Sequence, residues 1–452
     1  MNISRLNLLI GAISTLGSFG LMQLVRLIAG VIIARLLSPE LLGIMMIVYV
    51  LRYGVELLSD IGIRQSVISN REGNSPDFYN TAWTLQIIRG FALCLLFLVA
   101  TIPVSKIYNA PILLWVLPVI SSYFAIVGFT STRLFLLARN MQTSTLNAFD
   151  VALEIISALA RITFAFISPT IWALVFGSLV QPIARTLGSY FLLKGVRHRF
   201  CISKDYARQI FHFGKWILVT AILFFLASNF DRIYLAKVIP FALLGVFGIA
   251  RNLSSMVTDG IARLCSLVIF PLVASEAAMP RRQLRADLTH VRLVFVMACA
   301  LGLSLFVALA DLVIAAMYDQ RYQAAGWMLP ILIVGLWFSI LATLNESILI
   351  GIGQPKYTTV ASGSKFVLIL GGLPLATMWY GIVGAVIIIA ISDLPRYGPI
   401  LFGQRRSELS FLRQDALATA AFFALIIFWE WARFSFGLGT SFDHIPALSL
   451  IG

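Results

Sequence analysis

Thirteen runs of predominantly apolar residues decide what this chain can be. They are residues 8–34, 41–63, 78–102, 112–138, 146–167, 171–193, 213–236, 241–274, 291–309, 327–350, 357–380, 381–401 and a shorter 416–431. A helix that crosses a bilayer needs about 20 such residues. In hydrocarbon only helices and closed barrels satisfy every backbone polar group. Barrel strands need only about 10 alternating residues, so unbroken runs of this length select helices. Composition agrees: 60% of the chain is hydrophobic and 12% charged, where a soluble domain carries roughly 25% charged residues. A water-soluble enzyme, a nucleic-acid-binding factor and a disordered chain are excluded. The chain reads as an all-α polytopic membrane protein.

Turn residues punctuate the runs: Ser38-Pro39, Gly73-Asn74-Ser75-Pro76, Asn109-Ala110-Pro111, Ser168-Pro169 and Gly353-Gln354-Pro355. No stretch between them is long enough for a soluble domain. The first run carries only Arg5 ahead of it and no small-residue cleavage site, so it reads as an uncleaved span. The net charge of +14 is a matter of topology, because Lys and Arg gather in cytoplasmic loops. Lys194, Arg197, Arg199, Lys204 and Arg208 follow the sixth run, Arg281, Arg282 and Arg285 the eighth, and Arg405, Arg406 and Arg413 the twelfth. The alternate loops hold one basic residue or none. This places the N-terminus in the cytoplasm. Thirteen spans put the C-terminus outside; a last run that only lies on the membrane leaves it inside. Cys94, Cys201, Cys265 and Cys299 show no paired spacing and read as small hydrophobes, with no metal site or disulfide framework.

The sequence repeats itself. Ala34-Arg35-Leu36-Leu37 through Leu41-Leu42-Gly43-Ile44 reads like Ala236-Lys237-Val238-Ile239 through Leu243-Leu244-Gly245-Val246. The offset is 202 residues, or six spans, and an even number keeps both copies in one orientation. This is a parallel repeat about the membrane normal. The expected organisation is an N-terminal six-helix lobe (1–195), a basic cytoplasmic linker (196–212), a C-terminal six-helix lobe (213–404) and an additional C-terminal hydrophobic helix with its tail (405–452).

Charges inside spans cost about 2.5–3.5 kcal/mol each at midplane, so they face protein or water. Arg26 lies in the first span, on one face with Ser14 and Ser18. Tyr49, Arg52, Glu56 and Asp60 form a stripe on the second, at steps of three and four. The eighth carries Arg251, Ser255, Asp259 and Arg263; the seventh carries Thr220, Ser228, Asp231 and Arg232. These four spans are the ones the repeat pairs, and the simplest arrangement sets them around a central aqueous cavity. Guanidinium forks match phosphate oxygens, so Arg26, Arg52, Arg251 and Arg263 are candidates to hold an anionic, phosphate-bearing substrate. The alternative is that Arg52 with Glu56 and Asp259 with Arg263 neutralise each other as i, i+4 pairs. The fifth span has its own stripe, Asp150, Glu154, Ser157 and Arg161. Arg89, Arg133, Arg185, Glu346, Lys365 and Asp393 occur singly. Each fixes packing by an interhelical pair, or, for carboxylates such as Glu154 and Glu346, couples transport to an ion. Glu56, Asp60, Asp231 and Asp259 are further candidates for that coupling.

The hairpin Ala34–Gly43, the span ending Asp60-Ile61-Gly62, and Phe230-Asp231-Arg232 together resemble the polysaccharide transporter branch of the multidrug/oligosaccharidyl-lipid/polysaccharide exporter superfamily, over roughly the first twelve spans. The resemblance implies a V-shaped, MATE-like two-lobe fold working by alternating access. It implies flipping of an undecaprenyl-pyrophosphate-linked oligosaccharide across the bacterial inner membrane, for exopolysaccharide, capsule or O-antigen assembly. It carries cavity roles over to Arg26, Arg52 and Arg251, and implies no cofactor and no nucleic acid. A polysaccharide polymerase and co-polymerase are the partners expected from pathway logic. A thirteenth span departs from the twelve-span pattern.

Two other functions compete. A multidrug or cation antiporter of the same superfamily requires an acidic or aromatic cavity. A membrane polysaccharide polymerase requires sizeable external loops, whereas 38–40, 103–111, 237–240 and 310–326 are short. The histidines, His198, His212, His290 and His444, form no metal or catalytic constellation.

Overall fold

In the computed structural model the described residues are 3–192, 197–275, 279–443 and 445–446; the side chains of 3–13 and 213–220 lie outside the description. Lys194 of the linker, the side chain of Thr220, and His444 therefore fall outside it. All regular structure among the described residues is helical. The chain divides into two compact units, Met1–Phe225 with Arg232–Phe241, and Leu226–Asp231 with Ala242–Gly452.

The first unit opens with α1 (Ile3–Leu36) and α2 (Pro39–Leu58), separated by Ser38-Pro39, with proline at the first helical position where its missing N–H costs nothing. α2 stops at Ser59-Asp60-Ile61-Gly62. Gly62 takes a left-handed φ of 68°, and the Asp60 carboxylate accepts from its N–H at 3.0 Å. A short helix, α3 (Ile63–Ser69), follows. The second apolar run is therefore one span, and a separate short helix begins where the run ends. α4 (Pro76–Ile107) starts on a capped turn, the Ser75 hydroxyl accepting from Phe78 N–H at 3.2 Å. The fourth run is broken into α5 (Leu113–Gly128) and α6 (Arg133–Arg139), bent by 56°. α7 (Thr143–Ile167) and α8 (Ile171–Ser189) complete the set. α4 packs on α5, α7 on α8, α5 on α8, and α1 along α7.

α9 (Lys204–Val238) and α10 (Phe241–Leu264) restate the first hairpin. α1 and α9 end at 36 and 238, and α2 and α10 begin at 39 and 241, each 202 apart. α10 continues through a π turn (Cys265–Ile269) into α11 (Phe270–Ser275). α12 (Arg281–Met317), α13 (Ala325–Gly351), α14 (Lys356–Ile391) and α15 (Leu394–Arg406) follow. The 51 residues of Lys356–Arg406 at 1.5 Å each would reach roughly 76 Å, more than two bilayer cores. The stretch folds back at Gly381, whose φ of 56° and ψ of −141° no helix accommodates. That is the boundary the apolar runs place between 380 and 381. α12 packs on α13, α14 on α15 and α13 on α15, the same pairing of third to sixth spans as in the first unit.

α16 (Leu412–Ser435) is no loose appendage. It lies along α12. Asp415 near its start pairs with Arg292, and Arg433 near its end pairs bidentately with Asp311 at 2.6 and 2.8 Å. The order is the same on both helices, so they run parallel over 18 or 19 residues, about 28 Å at 1.5 Å per residue. Midway, Trp337 of α13 donates to Thr419 at 2.9 Å and stacks on Phe422 at 4.6 Å. The thirteenth run is a helix long and apolar enough to cross a membrane, packed along α12.

Candidate functional site

Each unit carries charged side chains within its spans. In the first unit Arg26, within α1, finds its acid 128 residues away. Arg26 Nη2 meets Glu154 Oε2 of α7 at 2.9 Å, and Arg161, one turn and three residues further along α7, reaches the other oxygen at 3.5 Å. Glu154 is buried, but half of the Arg26 side chain stays exposed (50%). Two guanidinium groups thus share one carboxylate. Alongside, Arg185 of α8 pairs with Asp150 at 2.9 Å.

On α2 the i, i+4 pair does not form. Glu56 accepts instead from Tyr123 Oη of α5 at 3.1 Å. Arg52 lies with its guanidinium carbon 4.0 Å from the Tyr123 ring centre and 5.9 Å from that of Tyr49. No carboxylate lies within ion-pair distance of it among the described residues, and its buried Nε has no hydrogen-bond acceptor. A cation held on aromatic faces is attracted by the ring quadrupole but not neutralised. Its charge remains available.

α4 supplies the support, from residues the sequence did not single out for it. Arg89 donates to the Glu56 carbonyl at 2.6 Å, in the last turn of α2, and to the Ser59 hydroxyl at 2.8 Å just beyond it. One turn earlier, Gln86 donates to the carbonyls of Val127, Gly128 and Thr130 at 3.0–3.1 Å, closing the end of α5. Gly90 lets the helices meet: a Cβ there would stand 2.6 Å from the Phe124 carbonyl. A cavity of about 30 Å³, the size of one water, is lined by Glu56, Gln86, Arg89 and Tyr123. A helix break followed by a long polar residue on the next span is the only sequence signal that could have found this role.

In the second unit Arg251 Nε donates to Asp231 Oδ2 at 3.3 Å, with Asp231 buried. Asp259 and Arg263 are exposed on α10. Glu346 pairs with Arg396 at 2.7 Å; Arg396 and Lys365 both bind Asp393, at 2.6 and 2.9 Å. Two cations and two carboxylates close on each other. A second network joins Arg292, Asp415, Asn345, Gln404 and Tyr397 across α12, α13, α15 and α16. No group of three or more metal-ligating side chains occurs among the described residues.

A family model described as "Polysaccharide biosynthesis protein" matches residues 32–326. The chain belongs to that polysaccharide biosynthesis protein family. Among its relatives is the lipopolysaccharide biosynthesis protein WzxC of Escherichia coli, 22% identical over 248 residues, covering 54% of this chain and 49% of WzxC. The match thus spans about half the length of that relative. The succinoglycan biosynthesis transport protein ExoT of Rhizobium meliloti is 21% identical over 393 residues, 84% of this chain and 77% of ExoT. The lipid II flippase MurJ shares the fold, with a TM-score of 0.71 at 14% identity over 93% of this chain and 92% of MurJ. The family match starts before α2, so Arg52 and Arg251 lie inside it and Arg26 outside.

Proposed function

We propose that this member of the family flips an undecaprenyl-pyrophosphate-linked oligosaccharide across the bacterial inner membrane, for exopolysaccharide, capsule or O-antigen assembly. Transport proceeds by alternating access without covalent chemistry. The pyrophosphate is held by Arg26, Arg52, Arg251 and Arg263 while the prenyl tail stays in lipid. Arg52 carries the reading: an in-span guanidinium resting on aromatic rings with no carboxylate against it is built for an anion that comes and goes. The names of WzxC, ExoT and MurJ support the substrate class. Glu154 and Glu346, with Glu56, Asp60, Asp231 and Asp259, are the carboxylates available for ion coupling. The N-terminus is cytoplasmic, on the distribution of loop lysines and arginines. Lobes 1–195 and 213–404, joined by the linker 196–212, are the moving parts, and a polymerase and co-polymerase take the product.

An antiporter of cationic drugs is the competing reading. The first unit sets Arg26, Arg52, Arg89, Arg161 and Arg185 against Glu56, Asp60, Asp150 and Glu154, still an excess of positive charge, which disfavours cations. The test is Arg52→Ala and Arg251→Ala in cells that depend on this protein for surface polysaccharide. Export falls, and the lipid-linked unit accumulates inside. Full export at normal protein levels removes these arginines from the substrate path.

A further inference from the structure

A second polar site lies outside the spans. α3 buries Ile63 and Val67 in a cluster with Phe78, Tyr79, Ala82, Leu136 and Ile210, the last from the first turns of α9. Arg139 of α6 holds the other end of α3 by donating to the carbonyls of Val67, Ile68 and Asn70 at 3.0, 2.7 and 2.5 Å. With its apolar face packed and its end clamped, α3 turns Ser66, Ser69 and Asn70 toward Arg208, Gln209 and His212 on α9. These six residues line an open cavity of about 530 Å³. That volume suits a small molecule.

Its chemistry is specific. Arg208 is exposed, with no carboxylate within ion-pair distance among the described residues. Ser66 is 5% exposed, and its Oγ has no hydrogen-bond partner in the protein. A buried hydroxyl left unpaired is unfavourable, so a ligand atom that pairs with it gains affinity. The Asn70 and Gln209 amides, joined by a 2.9 Å hydrogen bond, close one side. A guanidinium fork, two hydroxyls and two amides are what a phosphate carrying a sugar requires. The repeat does not demand this face. At the 202 offset Ser66, Ser69 and Asn70 correspond to Val268, Pro271 and Leu272, in the unbroken continuation of α10.

We propose that the cavity between α3 and the first turns of α9 is a loading site for a phosphorylated sugar, separate from the in-span arginines. As a loading step it rests on the flippase reading; as a binding site it does not. The experiment uses the full chain in nanodiscs, with glucose 1-phosphate as probe and glucose as neutral control. Wild type binds glucose 1-phosphate better than glucose. Arg208→Ala lowers that affinity at least tenfold, Ser66→Ala three- to tenfold, and Arg208→Lys restores part of it. Arg208 is a surface residue, so the thermal transition of Arg208→Ala stays at the wild-type value. Displacement of the probe by an undecaprenyl-pyrophosphate-linked oligosaccharide in the disc identifies the lipid headgroup as occupant. Arg208-dependent binding without displacement identifies a soluble sugar phosphate. Equal binding by wild type and Arg208→Ala, or no binding by wild type, overturns the site. Arg52→Ala keeps the two readings apart: it loses translocation and retains the probe if both hold. If wild type shows no translocation while Arg208-dependent binding persists, the flippase reading falls and the site stands.

Discussion

In the first unit the side chains of Arg26, Arg161 and Arg185 keep 50%, 25% and 38% of their surface exposed, whereas in the second those of Arg292, Arg396 and Arg433 keep 1%, 13% and 6%. Both units pair arginine with acid inside a membrane. The first leaves Arg26, Arg161 and Arg185 partly exposed, with Arg52 on a tyrosine face; the second folds Arg292, Arg396 and Arg433 into closed networks, while Arg263 stays exposed. Similar residues in repeated halves have been put to different uses. The second unit uses the buried charges of Arg292, Arg396 and Arg433 to fix helices, α16 included. On the proposed reading, the first unit's arginines, with Arg251 and the exposed Arg263 of the second, are the ones left for a ligand.

The comparison breaks first at Asp415. Removing one partner of a buried pair leaves a charge without compensation, at a cost of about 3–5 kcal/mol. Asp415→Ala strands Arg292, so the purified protein should lose that much in denaturant titration, or fail to accumulate. A loss under about 1 kcal/mol would mean the network is not structural. Glu154→Gln is the counterpart in the first unit. It leaves Arg26 and Arg161 exposed enough to hydrate, and its cost should stay below about 2 kcal/mol; a loss matching that of Asp415→Ala would erase the distinction between units. Thr419→Val removes the acceptor for the Trp337 N–H and the hydroxyl that donates to the Asp415 carbonyl, and should cost about 1 kcal/mol.

The smallest effect is in pH. His198, in the linker beyond α8, stacks on Trp83 at 4.9 Å and lies 2.6 Å from Ser131 Oγ. Burial, and secondarily Arg133, push its pKa down from 6.5 to about 4. Between those values the unfolded chain binds the proton and the folded chain does not, so stability rises with pH across the window and is lost as pH falls from about 6.5 to 4. His198→Gln should flatten that slope in thermal melts between pH 4 and 7. An unchanged slope would detach His198 from it.

Much of this was readable in advance, and the limits are physical. Apolar runs and proline or glycine punctuation mark spans because lipid tolerates nothing else, and the boundary at Gly381 is recovered to the residue. The repeat places α9 and α10 because hairpin ends are short and local. The end of the second span at Asp60-Ile61-Gly62 was legible, but the short helix α3 after it was not, since Ile63 to Ser69 mixes three apolar residues with Arg64, Gln65 and two serines. Partners across the fold were hidden as well. Nothing near Arg26 in sequence points to Glu154. Glu56 sits one helical turn from Arg52 yet binds Tyr123, because α5 brings a ring and a hydroxyl to that stripe. Arg89 and Gln86 serve backbone carbonyls, which no side-chain pattern announces.

The most direct test of the account reconstitutes wild type and Arg52→Ala in proteoliposomes and follows movement of a labelled undecaprenyl-pyrophosphate oligosaccharide between leaflets. The account predicts at least a tenfold slower rate for Arg52→Ala, worth about 1.4 kcal/mol, with an unchanged thermal transition. A wild-type rate would contradict it.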